Sequence, residues 1–188
     1  SRVAPKLLFT IEAEDGGASS RLKVEINTRE TQAFDELKSF SHSVDNPWFS
    51  GSADLPSFSN EEMLATKLRA LLQRDKGRDL FDMSHALAVF EDLDEARVVE
   101  MLAKYLALQD LTLSRAQAEE RMLAKLANPG FLADIRPLLS AEEAEKLTDE
   151  SINEAFATVF IRLVSKIPGD PWAKTQEVAE RFKVNLSG

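Results

Sequence analysis

An α+β fold is predicted by three observations. Apolar and polar residues alternate with the period of a strand up to Asn27, and from Ser59 onward apolar residues recur at the spacing of helices. Clusters of Pro and Gly then divide the helical part into segments. The expected organisation is an antiparallel or mixed sheet within residues 1–59 and a helical region over 60–188.

In chain order, Lys6–Ala13 places Leu7, Phe9, Ile11 and Ala13 on one face, and Arg21–Asn27 places Leu22, Val24 and Ile26 on one face. Asp15-Gly16-Gly17-Ala18-Ser19-Ser20 supplies the turn of a hairpin. A lone hairpin is marginally stable in water, and the chain opens with Ser1-Arg2-Val3-Ala4 rather than Met, so a longer protein with a segment before residue 1 is expected. A short helix is expected over Thr31–Leu37. Aromatic and β-branched residues mixed with turn formers from Ser39 to Phe58 predict short edge strands or an ordered loop, with Pro47 and Pro56 restricting pairing to an edge and Trp48 and Phe49 anchoring the loop to the core.

Ser59-Asn60-Glu61-Glu62 reads as a helix start, with Met63, Leu64, Leu68, Leu71 and Leu72 as the stripe behind it and Gly77 as its stop. Further helices are predicted over Arg78–Ala88, Asp94–Leu108, Ser114–Ala127, Glu150–Lys166 and Lys174–Lys183, divided by Pro129-Gly130, Pro137 and Pro168-Gly169-Asp170-Pro171. No internal repeat is evident.

Composition narrows the chemistry. The 188 residues include no Cys and two His, which excludes thiolate nucleophiles, disulfides and zinc ribbons and leaves oxygen ligands for any metal. With 23 Lys and Arg against 32 Asp and Glu, the net charge of −9 disfavours a broad footprint on nucleic acid. No apolar run approaches the ~20 residues of a membrane span, so a cytoplasmic location is expected.

Within Glu62–Asp82, Lys67 and Arg74 stand two helical turns apart on the border of the apolar stripe. Cations so placed either snorkel to water along their methylenes or face an anionic partner. Asp79 and Asp82 follow, near Arg78, and could form an ion-pair network or orient Lys67 and Arg74 toward a phosphate; as a bare spacing the solvated reading is favoured. Glu25 alternates out of the apolar face of its strand, which suits exposure or a cleft, and one strand-borne acid cannot satisfy an octahedral Mg²⁺ by itself. Asp92-Leu93-Asp94 is read as a helix cap, and His42 and His85 as structural. No phosphate loop, dinucleotide fingerprint or nucleophile elbow is present.

Two blocks taken together resemble a known family. Leu22-Lys23-Val24-Glu25-Ile26-Asn27-Thr28-Arg29-Glu30, followed by Leu64-Ala65-x-Lys67-Leu68-Arg69-Ala70-Leu71 and Arg78-Asp79-Leu80-Phe81-Asp82, is similar to the AbiEii family of nucleotidyltransferase toxins, found in type IV toxin–antitoxin and abortive-infection systems. The resemblance is carried on residues 5–90 and implies a polymerase-β-like fold and transfer of a nucleotidyl group from an NTP with Mg²⁺. It also implies an acceptor that includes RNA, plausibly tRNA, and a cognate antitoxin. Residue by residue, Glu25 matches the later strand acid at the metal, Lys67 the lysine on the triphosphate, and Asp79 and Asp82 the downstream acidic motif; Arg74 and Arg78 are further candidates for the same anion. The family's first motif, Gly-Ser followed by DxD, has no counterpart here, so the chain by itself is expected to be inactive. The alternative is a catalytically silent helical interaction domain whose acidic surface binds a basic partner.

Overall fold

The structure, a computed structural model, describes residues 5–12, 16–26, 32–131 and 147–187. The fold is α+β, and the chain divides into two compact units, Ser1–Phe34 and Asp35–Gly188.

The first unit holds strands β1 (Lys6–Ile11) and β2 (Ser20–Glu25), paired antiparallel with Leu7 opposite Val24 and Phe9 opposite Leu22. This register puts the expected apolar residues on one face and Lys6, Lys23 and Glu25 on the other. Gly16, at φ 72°, takes the left-handed backbone that favours glycine in the connection between the strands. Ala13 and Asn27, the last residues of the two expected strands, lie outside the described residues.

The second unit begins with a long hairpin, β3 (Lys38–Asn46) and β4 (Phe49–Ser57). Residues 32–37 do not form the expected short helix; there is a bend at Phe34 and Asp35, and the backbone N–H of Asp35 is taken by the Glu62 carboxylate instead of a helical carbonyl; Thr31 lies outside the described residues. The Asn46 side chain accepts from the N–H groups of Trp48 and Phe49, both at 3.0 Å, and so fixes the Pro47-Trp48 turn. Trp48 does not anchor this segment. It stands at the tip of the hairpin with 91% of its surface exposed, and Phe49 instead lays its ring over Gly51, where a β-carbon would come within 2.7 Å of the ring.

Helix α1 (Asn60–Gln73) starts as its sequence requires: the Ser59 hydroxyl accepts from the N–H of Glu62 at 3.2 Å. Leu64, Leu68, Leu71 and Leu72 are buried, each such side chain contributing ~1.5–3 kcal/mol. Gly77 is not the stop of α1. The helix ends at Gln73 with Arg74 extended, and Gly77 opens α2 (Gly77–Val89), its N–H donating to the Phe131 carbonyl at 2.7 Å.

Asp94 caps α3 (Glu95–Ala107), accepting from the N–H of Arg97 at 3.0 Å, as the DxD segment predicted. Capping boxes open α4 (Arg115–Ala124), through Ser114 and Gln117, and α5 (Asp149–Arg162), through Thr148 and Ser151. Single 3₁₀ turns at Lys125–Ala127 and Val164–Lys166 follow these two helices, and α6 (Thr175–Arg181) comes last. Helix α1 packs on α2 and α3, and α2 packs on α5. The core between them includes Leu80, Met83, Met101, Met122, Leu123, Phe156 and Leu163.

Polar groups tie the unit together from inside. Glu62, expected at a solvated helix start, is buried and accepts from the hydroxyl of Tyr105, the single tyrosine, at 2.6 Å. Asp35 accepts from the Ser59 hydroxyl at 2.9 Å and pairs with Arg97, whose hydrogen bond holds the Asp35 carboxyl below its ordinary pKa. Both feet of the β3–β4 hairpin are thereby fastened to the helices. Glu119 is buried as well and accepts from Arg115, from the N–H of Trp172 at 2.9 Å and from the Thr175 hydroxyl at 2.5 Å.

Candidate active site

The α1–α2 corner collects five of the residues singled out from the sequence, Lys67, Arg74, Arg78, Asp79 and Asp82. Lys67 leaves α1 at the edge of the buried stripe and reaches Asp82 on α2, with Nζ 2.5 Å from Oδ2. Both side chains are well exposed, 40% and 51%. An ion pair of this kind contributes about 0–1 kcal/mol, since water screens it and two flexible side chains must be ordered. It can be exchanged for another anion at little cost.

Two turns along α1, Arg74 makes a different kind of contact. Its Nε and one Nη donate to the two Asp79 oxygens at 2.7 and 2.8 Å, a bidentate fork. Asp79 is completely buried, whereas Arg74 is 49% exposed. Removing the guanidinium would strand a carboxylate without water, a loss of ~3–5 kcal/mol in buried pairs. Arg74 is therefore held, and Lys67 is exchangeable. Arg78 is exposed in the first turn of α2 and makes no ion pair with another described residue.

The corner itself is fastened from the end of α4. The Lys125 ammonium, 4% exposed, donates to the Arg74 carbonyl at 3.0 Å and to Asp75 Oδ1 at 2.7 Å, and lies 5.4 Å from the centre of the Phe131 ring. That hydrogen bond, with the accompanying charge, lowers the pKa of Asp75. Asn128 reaches the other Asp75 oxygen at 3.4 Å. Neither Lys125 nor Asp75 stood out in the sequence. The partners of Lys125 lie about fifty positions away in the chain, beyond the reach of any local pattern.

Glu25 belongs to the first unit. It sits at the end of β2 opposite Lys6, with Oε1 2.9 Å from Lys6 Nζ and Oε2 3.4 Å from Lys23 Nζ. The hydrogen bond from Lys6, then that from Lys23, holds its carboxyl below the ordinary range.

The described carboxylates do not by themselves fit Mg²⁺. A hard octahedral ion needs several free oxygens converging on one point. Glu25 is matched by two ammonium groups, Asp79 is buried under a guanidinium, and Asp82 is matched by Lys67. Among the described residues no three His, Asp or Glu side chains are gathered closely enough to hold a metal ion.

What the corner offers is two cations, an exchangeable Lys67 on α1 and a held Arg74 at the fastened turn that follows it. That suits an anionic, phosphate-bearing ligand. A family model described as the nucleotidyl transferase AbiEii toxin of type IV toxin–antitoxin systems matches residues 2–162, from before β1 to the end of α5. The chain belongs to this nucleotidyltransferase toxin family. The match takes in the hairpins and α1 to α5 and extends beyond residues 5–90, which carry the resemblance. No curated protein and no solved structure matches the chain. Membership implies a nucleotide substrate and an antitoxin partner. Among the described residues no helix is long and apolar enough to cross a membrane.

Proposed function

We propose that this chain is the triphosphate-handling part of a toxin that transfers a nucleotidyl group from an NTP to an acceptor hydroxyl, RNA or tRNA being the class of acceptor, inside the cytoplasm and under the control of a cognate antitoxin. The observation that carries the proposal is that Lys67, on α1, and Arg74, at its C-terminal cap, each pair with a carboxylate of α2, the first exchangeable and the second fixed, within the span that the family matches.

In this reading the triphosphate displaces Asp82 from Lys67. The acceptor oxygen bonds to the α-phosphorus, the bond from that phosphorus to the bridging oxygen breaks, pyrophosphate leaves, and the proton of the acceptor hydroxyl passes to solvent water. Lys67 acts as a point charge on the phosphate oxygens, where negative charge grows as the leaving group departs. Arg74 needs no reorganisation, since Asp79 has already aimed its guanidinium; Asp79 acts through Arg74 rather than on the substrate. Arg78 adds a third cation at the same corner. Glu25 is assigned as the family's later strand acid, and the divalent metal that the family's chemistry implies draws on oxygens beyond those of the carboxylates named here.

The test is incorporation of labelled NTP into RNA by the intact protein. Lys67→Ala should abolish incorporation and leave the thermal midpoint nearly unchanged; full activity in a folded Lys67→Ala protein would remove Lys67 from the site. A second reading, a catalytically silent domain that binds a basic partner, is favoured by the net charge of −9 and by the neutralisation of each candidate carboxylate by a cation. It predicts that Lys67→Ala changes neither activity nor partner binding.

A further inference from the structure

We infer that Lys125 is a positioning residue for the phosphate-contacting α1–α2 corner, holding the turn after α1 in the shape that presents Arg74 beside the Lys67–Asp82 pair; the inference rests on the functional reading of that corner given above. Lysine is almost never fully buried unless it is paired. Here the buried ammonium meets three fixed points. It donates to the carbonyl of Arg74 at 3.0 Å and to the carboxylate of Asp75 at 2.7 Å, and stands over the Phe131 ring.

All three points belong to, or fasten, one turn. The Arg74 carbonyl is where the chain leaves α1, Asp75 is the next residue, and the carbonyl of Phe131 accepts from Gly77, where α2 begins. Asn128 joins the same strap through Asp75. Arg74 is consequently held at both ends, its main chain by Lys125 and its guanidinium by Asp79. A small displacement of the turn would move the guanidinium and the first turn of α2 together, and with them Asp82, the partner of Lys67. A purely apolar filler at position 125 could occupy the space, but it would release both the carbonyl and the carboxylate.

The probe is inorganic triphosphate titrated into the intact protein without added metal, with Kd and thermal midpoint measured for each variant. Lys125→Met should raise Kd about tenfold, the scale expected when a charged group is misplaced by a fraction of its contact distance. Lys125→Arg, which keeps a donor to both oxygens, should recover most of the affinity. Asp75→Asn, at an exposed side chain that folding tolerates, should raise Kd by a smaller factor. Glu119→Gln disturbs the same helix away from the turn; it should lower the midpoint and leave Kd unchanged. If Lys67→Ala binds triphosphate as tightly as the unaltered protein, the functional reading of the corner fails. If Lys67→Ala loses binding while Lys125→Met or Asp75→Asn, folded, binds as the unaltered protein does, that reading stands and the role of Lys125 is overturned. A Kd for Glu119→Gln raised as far as that for Lys125→Met would also overturn it, since the effect would then follow stability alone.

Discussion

Replacing Arg74 with Met separates a buried ion pair from an exposed one in a single measurement. The change keeps an unbranched side chain of similar reach along α1 and removes the fork on Asp79. That carboxylate is wholly buried, so the change leaves it with neither a cation nor ready access to water. Breaking buried pairs costs ~3–5 kcal/mol, and because Arg74 is half exposed the lower end, about 3 kcal/mol, is expected. At roughly 2–4 °C per kcal/mol for a chain of this size, the thermal midpoint should fall by about 6–12 °C. Lys67→Met, which breaks the exposed pair with Asp82, should cost no more than about 1 kcal/mol and so lower the midpoint by no more than about 2–4 °C. Circular dichroism melts of the two variants supply the comparison, and the double change Arg74→Met/Asp79→Leu completes it. Replacing both partners with apolar groups should restore most of the loss, since no charge is then left buried. Equal midpoints for Arg74→Met and Lys67→Met would refute the assignment of Asp79 as a buried, guanidinium-dependent carboxylate.

Other outcomes follow from the same contacts. Asp35 and Asp75 have carboxyls held below their ordinary pKa by Arg97 and Lys125 respectively, so their stabilisation is present above the unfolded-state value of about 4 and is lost as pH falls through the lower folded-state values. Urea midpoints measured from pH 6 downward should therefore decline in acid, and Asp75→Asn should make that decline shallower; an unchanged slope would count against the Lys125–Asp75 contact. Ser59→Ala removes the cap of α1 and should destabilise the helical unit by about 1 kcal/mol in denaturant titration. It also deletes the hydroxyl that Asp35 accepts from, so an effect of zero would contradict the described foot of the hairpin.

Much of the local structure could be read from the chain because it is set by neighbours in sequence. The stripe Leu64, Leu68, Leu71, Leu72 marked α1, Asp94 marked the cap of α3, and the alternation of Leu7, Phe9 and Ile11 marked β1. Lys67 and Arg74 were visible as cations beside a buried stripe, and their unequal grip was not, because it depends on whether the carboxylate across the turn is buried. Glu62 and Lys125 were missed for a related reason. Each is charged, each lies where a solvated residue is ordinary, and each finds its partner in a distant element, Tyr105 for one and the Arg74–Asp75 turn for the other. Gly77 looked like a helix stop because glycine commonly ends helices; here the backbone N–H it supplies to Phe131 begins the next one. Trp48 looked like an anchor by virtue of its size, but a turn fixed by Asn46 holds it away from any core.

The two feet of the β3–β4 hairpin, Asp35 and Ser59, are joined by a direct side-chain hydrogen bond, and Asp35 is fastened in turn to Arg97 and Glu62. The chain thus leaves the helical scaffold and returns to it at one address. Because the way out and the way back are pinned together, a change of length or residue at the exposed Trp48 tip leaves the course of α1 and α3 unaltered.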